Sequence, residues 1–183
     1  MNEKSTNKLK ILNDPIYGFI LIPNALIFDL IQHPYFQRLR RISQMGLSHL
    51  VYPGAHHTRF HHALGCMHLM QKTVRILKFK GVEISDEEAN ALYIAILLHD
   101  IGHGPFSHAL EQSIASGIHH ETISLKFMEA LNEEFKGKLT LAITIFRGDY
   151  YRKFFYQLIA SQLDMDRLDY LKRDSFYTGV SEG

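Results

Sequence analysis

The sequence predicts a mainly α-helical domain with one small β-hairpin at its N-terminal end. Three observations lead there. Apolar residues recur at three- and four-residue spacing over most of the chain after Ala25, β character is confined to the stretch before it, and the sequence carries no βαβ alternation. With 183 residues, 46% hydrophobic and 21% charged, the chain reads as a single domain over 1–183. A lead-in and hairpin occupy 9–24, and a helical core occupies 25–183.

Lys10–Leu12 and Gly18–Ile22 flank Asn13-Asp14-Pro15-Ile16-Tyr17, where Asp-Pro and the following glycine supply turn chemistry and predict the hairpin. Leu26, Leu30 and Ile31 predict one face of a first helix, and Pro34 opens a second segment carrying Phe36, Leu39 and Ile42. Gly46 to Ala55 is a Gly- and Pro-punctuated connection. A helix is expected over His62–Phe79, ending at Gly81. Ser85-Asp86-Glu87-Glu88 is a capping box ahead of the apolar run to Leu98, which Gly102, Gly104 and Pro105 terminate. Glu121–Phe135 is amphipathic, and Tyr150–Arg173 is a helical pattern in one piece or two.

Charge and cysteine usage narrow the classes. Lys and Arg number 20 against 19 Asp and Glu, which leaves no basic footprint for nucleic acid. A lone Cys66 excludes a disulfide framework and reads as a small buried apolar residue in a reducing compartment. The longest apolar run, Ala91–Leu98, is far short of a membrane span, and Met1–Lys10 has no apolar segment of a leader. A soluble cytoplasmic chain is expected.

The unusual number is histidine, 12 in all. Most fall in three clusters: His56-His57-Thr58-Arg59-Phe60-His61-His62; His99-Asp100-Ile101-Gly102-His103 running on to His108 and Glu111; and His119-His120-Glu121. His99-Asp100 is the most telling pair, because it ends an apolar helix. A carboxylate buried there without a partner costs several kcal/mol, and a metal ion removes that cost. Imidazole with carboxylate suits Fe, Mn, Zn, Ni or Mg. A fourth constellation holds Asp164, Asp166, Arg167, Asp169, Tyr170, Arg173 and Asp174. Asp164-Met165-Asp166 opens like a calcium loop, but Leu168 and Asp169 stand where that loop needs an oxygen ligand and a glycine. On a helix, Asp166, Asp169, Tyr170 and Arg173 share one face, as either a site or a solvated stripe with Asp169–Arg173 pairing.

From about Asn13 to Gly179 the ordered motifs resemble the HD-domain phosphohydrolases, in their deoxynucleoside triphosphate triphosphohydrolase branch. They are Asn13-Asp14-Pro15-Ile16-Tyr17-Gly18, Phe36-Gln37-Arg38-Leu39-Arg40, Tyr52-Pro53-Gly54-Ala55, Arg59-Phe60-His61-His62-Ala63-Leu64-Gly65, Leu98 through His108, His120-Glu121, and Leu163 through Tyr170. The resemblance implies an HD-type helical bundle whose metal ligands fall on His62, His99, Asp100 and Asp166. It implies one divalent ion, Fe, Mn, Zn, Ni or Mg. His103, His108 and His120 match catalytic or phosphate-contacting histidines, and Glu111 matches the carboxylate that partners His108. Arg59 and Arg167 match triphosphate clamps, with lysine common in relatives at the second. Gln44, Tyr170 and Asp174 match sugar contacts. His33, His49 and His68 gain nothing from it, and His56, His57, His61 and His119 stand as neighbours of the site. Arg38-Leu39-Arg40-Arg41 reads as a solvated face, with an interface or effector-nucleotide contact as alternatives.

The implied activity is hydrolysis of a deoxynucleoside triphosphate to deoxynucleoside and triphosphate, by a homo-oligomer that takes nucleotide effectors. The motifs correspond to the N-terminal half of such proteins, so an incomplete C-terminal end is expected. The alternatives are an HD-type nucleotidase or phosphodiesterase on another phosphate ester, a non-catalytic nucleotide-sensing module, and a pH-responsive interaction protein built on histidine.

Overall fold

A computed structural model of the chain describes residues 10–106 and 119–181. Strands β1 (Lys10–Asp14) and β2 (Gly18–Ile22) pair antiparallel, with Lys10 opposite Ile22 and Asp14 opposite Gly18. Alternation puts Ile20 and Ile22 into the core and leaves Phe19 and Leu21 in solvent. The turn closes on Asp14, whose Oδ1 accepts from the amides of Ile16 (2.9 Å) and Tyr17 (3.1 Å).

Helix α1 (Ala25–Gln32) is capped by Asn24, whose side chain accepts from the Ile27 amide. It buries Ile27, Leu30 and Ile31, so the inward face is turned slightly from the expected one and Leu26 is only half-buried. Helix α2 (Pro34–Gln37) runs into a 3-10 turn at Arg38–Arg41 and seats Phe36 and Leu39 in the core. Helix α3 (Arg59–Phe79) begins three residues before the expected His62. The reason is local: Thr58 and His61 form a reciprocal cap, with the Thr58 amide donating to His61 Nδ1 at 3.2 Å. His61 is therefore a helix cap.

Helix α4 (Asp86–Leu98) starts on the capping box read from sequence, Glu88 N donating to Ser85 Oγ (3.0 Å) and Ser85 N to Glu88 Oε2 (2.8 Å). It is apolar almost all round and packs between α3 and α6 (Thr140–Phe146), while α3 also packs on α8 (Met165–Thr178). Helix α5 (His120–Glu134) spans the predicted amphipathic stretch. The seven residues of α6, five of them apolar, are too few to show a period, and their packing on α4 supports the helix. The pattern over Tyr150–Arg173 is two helices, α7 (Phe154–Ile159) and α8. Asp164 breaks it, capping α8 through the Arg167 amide (2.7 Å) and bracing the turn through the Ser161 amide (2.7 Å). No helix among the described residues is long and apolar enough to cross a membrane.

Glu88 does more than cap. Its carboxylate also takes Tyr150 Oη (2.8 Å) and Arg152 Nη1 (2.9 Å). Burial pushes its pKa up, but the Ser85 amide, Tyr150 and Arg152 outweigh burial and hold it below the usual carboxylate range. A depressed pKa adds stability above the unfolded value, about 4.3, and that stability is lost as pH falls through the folded value. E88Q is expected to be less stable than wild type at pH 7. The gap should close in urea titrations as pH falls through the depressed folded value, below which the wild-type carboxyl is itself neutral.

Candidate metal centre

Leu98 ends α4 inside the core, so the next two residues, His99 and Asp100, are delivered buried. His99 Nδ1 donates to the Ile96 carbonyl at 2.6 Å. That bond sets the tautomer and turns the Nε2 lone pair inward. His99 Nε2 is buried without a hydrogen-bond partner. It lies 3.5 Å from Asp100 Oδ1 and 3.6 Å from Asp166 Oδ1, while His62 Nε2 lies 2.9 Å from Asp166 Oδ1 and 3.7 Å from Asp100 Oδ2. An ion with bonds of about 2.1 Å spaces neighbouring ligands about 3.0 Å apart at right angles and about 3.4 Å apart at tetrahedral angles. The donor atoms of His62, His99 and Asp166, with Cys66 Sγ, lie within 4.8 Å of one another, and Asp100 groups with His103 and His120 beside them. This donor set suits a divalent cation, with an orphaned imidazole nitrogen aimed into it.

The charges agree with that fit. Burial works against ionised Asp100 and Asp166, yet His99, His103 and Arg59 around the first, and His62 and His99 around the second, hold both well below the usual carboxylate range. Burial opposes protonation of His62 and His99; Cys66 with Asp166 and Asp169 outweighs it at the first, Asp100 and Asp166 at the second, and both are raised. A bound cation would take the place of those protons. Cys66 is one turn below His62, and its Sγ is 3.6 Å from both ring nitrogens. It therefore lies off the Nε2 lone-pair direction. Burial pushes its thiol up, so it is a neutral packing group.

A model of the HD domain matches residues 59–173, and that span contains all four of these side chains. The chain belongs to the HD-domain family. A solved phosphohydrolase from Bacteroides thetaiotaomicron superposes with a TM-score of 0.93 and 59% identity, covering 95% of this chain and 44% of that one. The Bacillus subtilis protein YwfO is 38% identical over 182 residues, 95% of this chain and 41% of its own. A Dictyostelium discoideum deoxynucleoside triphosphate triphosphohydrolase, a SAMHD1 homolog, is 36% identical over 196 residues, 97% of this chain and 38% of its own. The chain spans about two-fifths of the length of the curated relatives it matches. Within the family it falls with the HD phosphohydrolases of this branch.

Two glycines let the HD-domain motifs close. At Gly102, a Cβ would stand 2.3 Å from the His120 carbonyl and 2.4 Å from the Ser124 amide. Ser124 Oγ clamps the same turn, donating to the His99 carbonyl (2.7 Å) and accepting from Gly102 N (2.8 Å). Arg38 clamps its other side, Nη1 donating to the His103 carbonyl at 2.8 Å and Nη2 to that of Ile101. Arg38 thus leaves the solvated face on which the sequence had placed it. At Gly65, a Cβ would stand 2.0 Å from Asp169 Oδ1 and 2.3 Å from Arg173 Nη2. Asp169 and Arg173 do pair, but both are fully buried, and Asp169 Oδ2 accepts from His62 Nδ1 at 2.8 Å. The solvated-stripe reading of these two residues is overturned. D169N is expected to weaken metal binding about 10- to 100-fold, read by chelator competition, because this hydrogen bond orients the ring and raises its basicity.

The other predicted site residues divide. His103 Nε2 is 3.2 Å from Asp100 Oδ1, and its ring stacks on His120 with centroids 4.0 Å apart. Burial pushes the His103 pKa down to about 4 against the pull of Asp100. It is neutral near pH 7. Arg59 is buried, Nη1 2.5 Å from Asp100 Oδ2, so it braces a ligand as well as bringing charge to the site. A cavity of about 220 Å³ opens on His99, Asp100, His120 and Asp166, walled by Phe146 and Tyr156. Tyr170 and Asp174 line a second cavity of about 260 Å³ further along α8, with Met45 and Tyr52. Buried His57 reaches Asp174 Oδ1 from its Nε2 at 2.7 Å. Gln44 is half-buried beside His57, its backbone N–H donating to the His57 carbonyl, and Arg167 is exposed. His108 and Glu111 lie outside the described residues.

Proposed function

We propose that this chain carries the metal centre of a phosphohydrolase that cleaves deoxynucleoside triphosphates to deoxynucleoside and triphosphate. The observation that carries the reading is the His62, His99, Asp100 and Asp166 set with its orphaned Nε2, whose Asp166 lies on the same helix as Tyr170 and Asp174 of the second cavity. When bound there, a divalent ion supplies Lewis-acid charge to a phosphoryl oxygen and lowers the pKa of water. The chain's own groups do the rest. In this reading His103, stacked on His120 and neutral, contacts the triphosphate, and the proton taken up by the departing 5′-oxygen comes from the His108–Glu111 pair. Arg59 holds Asp100 in place, and exposed Arg167 is free to reach the outer phosphates. His108 with Glu111 complete the acid–base set in this reading. Gln44, Tyr170 and Asp174 contact the sugar, where close packing would reject a 2′-hydroxyl. Effector nucleotides and a homo-oligomer belong to the same reading, which size-exclusion runs with and without nucleotide check.

The cavity beside the ligands favours a second reading. Among the described residues its lining holds histidines and carboxylates and no Lys or Arg, which suits a single phosphate, as in a nucleotidase or phosphodiesterase. Metal-loaded chain offered deoxy- and ribonucleoside triphosphates, monophosphates and cyclic diesters separates the two by product mass. Deoxynucleoside plus triphosphate supports the first reading. Monophosphate plus pyrophosphate, or turnover of monophosphates or cyclic diesters alone, overturns it.

A further inference from the structure

The hairpin turn is wired to the metal centre through buried charge. Asp14, at the end of β1, gives Oδ1 to its own turn and Oδ2 to Arg173 Nη1 at 2.8 Å. Arg173 turns its other edge to Asp169, Nε to Oδ2 at 2.8 Å and Nη2 to Oδ1 at 3.0 Å. Asp169 then holds His62 Nδ1, and His62 Nε2 faces the other ligands. Asp14 is 5% exposed, and Asp169, Arg173 and His62 are 0% exposed, so water screens none of these links.

From this geometry we infer that Asp14 is a positioning residue of the metal centre, coupling the docking of the β1–β2 hairpin to metal binding through Arg173, 159 residues along the chain from Asp14. Two carboxylates share one guanidinium, so Arg173 leaves Asp169 negative enough to accept strongly from His62. With Asp14 gone, the whole guanidinium charge falls on Asp169, which becomes a weaker acceptor, and His62 a weaker ligand. Coupling is reciprocal, so an ion bound at His62 must also hold the hairpin more tightly. The inference rests on the metal-centre reading and needs no substrate.

Two measurements on the 183-residue chain test it, with Mn²⁺ as the probe. In wild type, Mn²⁺ is expected to slow hydrogen exchange of the β1–β2 amides. D14N keeps an acceptor for the turn but loses the charge, and is expected to bind Mn²⁺ about tenfold more weakly, by chelator competition on the folded fraction. A purely structural Asp14 would lower the melting temperature and leave the Mn²⁺ dissociation constant unchanged, and that result overturns the inference. So does hairpin exchange in wild type that ignores Mn²⁺, a result that stands even if D14N does not fold. Wild type that binds no metal ion at all removes the metal-centre reading itself, and the inference with it.

Discussion

Alanine at His99 is expected to empty the metal centre and end turnover together. Its Nε2 is a buried nitrogen with no hydrogen-bond partner, and its Nδ1 is spent on the Ile96 carbonyl, so the ring has no structural use for the inward edge. In the proposed centre the loss of one ligand would open the ion's coordination to solvent, and it takes from Asp100 and Asp166 an imidazole that lies 3.5 and 3.6 Å from them. Metal polarisation of a phosphoryl group contributes several kcal/mol to the barrier, which corresponds to about 10³-fold or more in rate. Metal analysis of purified H99A and a turnover assay at saturating Mn²⁺ check both halves. Full turnover at stoichiometric metal would remove His99 from the centre. Helical circular dichroism should stay close to wild type, because the helix ends one residue earlier at Leu98.

The second large effect is on folding. R173L is expected to cost about 3–5 kcal/mol or more, because it leaves Asp14 and Asp169 buried with no cation between them. A domain of this kind has about 5–15 kcal/mol in total, so the variant should be largely unfolded or insoluble at 37 °C. Urea titration followed by circular dichroism reads the loss directly. R173K should recover part of it, since an ammonium restores charge but not the fork that serves two carboxylates at once. A variant as stable as wild type would show that these carboxylates take up protons or water at little cost.

Local chemistry made much of the fold legible. The Asp-Pro turn with its glycine, the Ser85–Glu88 capping box and the stop after Leu98 each depend on residues within a few positions, and each appears where the sequence predicts it. The short α6 does not announce itself, because seven residues, five of them apolar, are too few to show a period. His61 shows the opposite failure. It stands in a histidine cluster and looks chemical, yet it caps α3. Arg38 reads as one of three basic residues on a solvated face, and its role in clamping the turn after Asp100 depends on a contact 65 residues away.

Asp166 and Asp169 mark the boundary most sharply. Helical spacing puts both on one face with Arg173, but spacing is silent on whether that face meets water or another helix. The chain alone determines that imidazole and carboxylate arrive together at the end of an apolar helix, because periodicity, capping and burial of a continuous apolar run are properties of neighbouring residues. Which carboxylate touches which edge of His62 follows from α3 lying against α8 with only hydrogen at Gly65 between them. That approach turns an apparent surface ion pair into the buried support of a ligand. It is a contact between residues 107 apart, and only the closed core brings them within 2.8 Å.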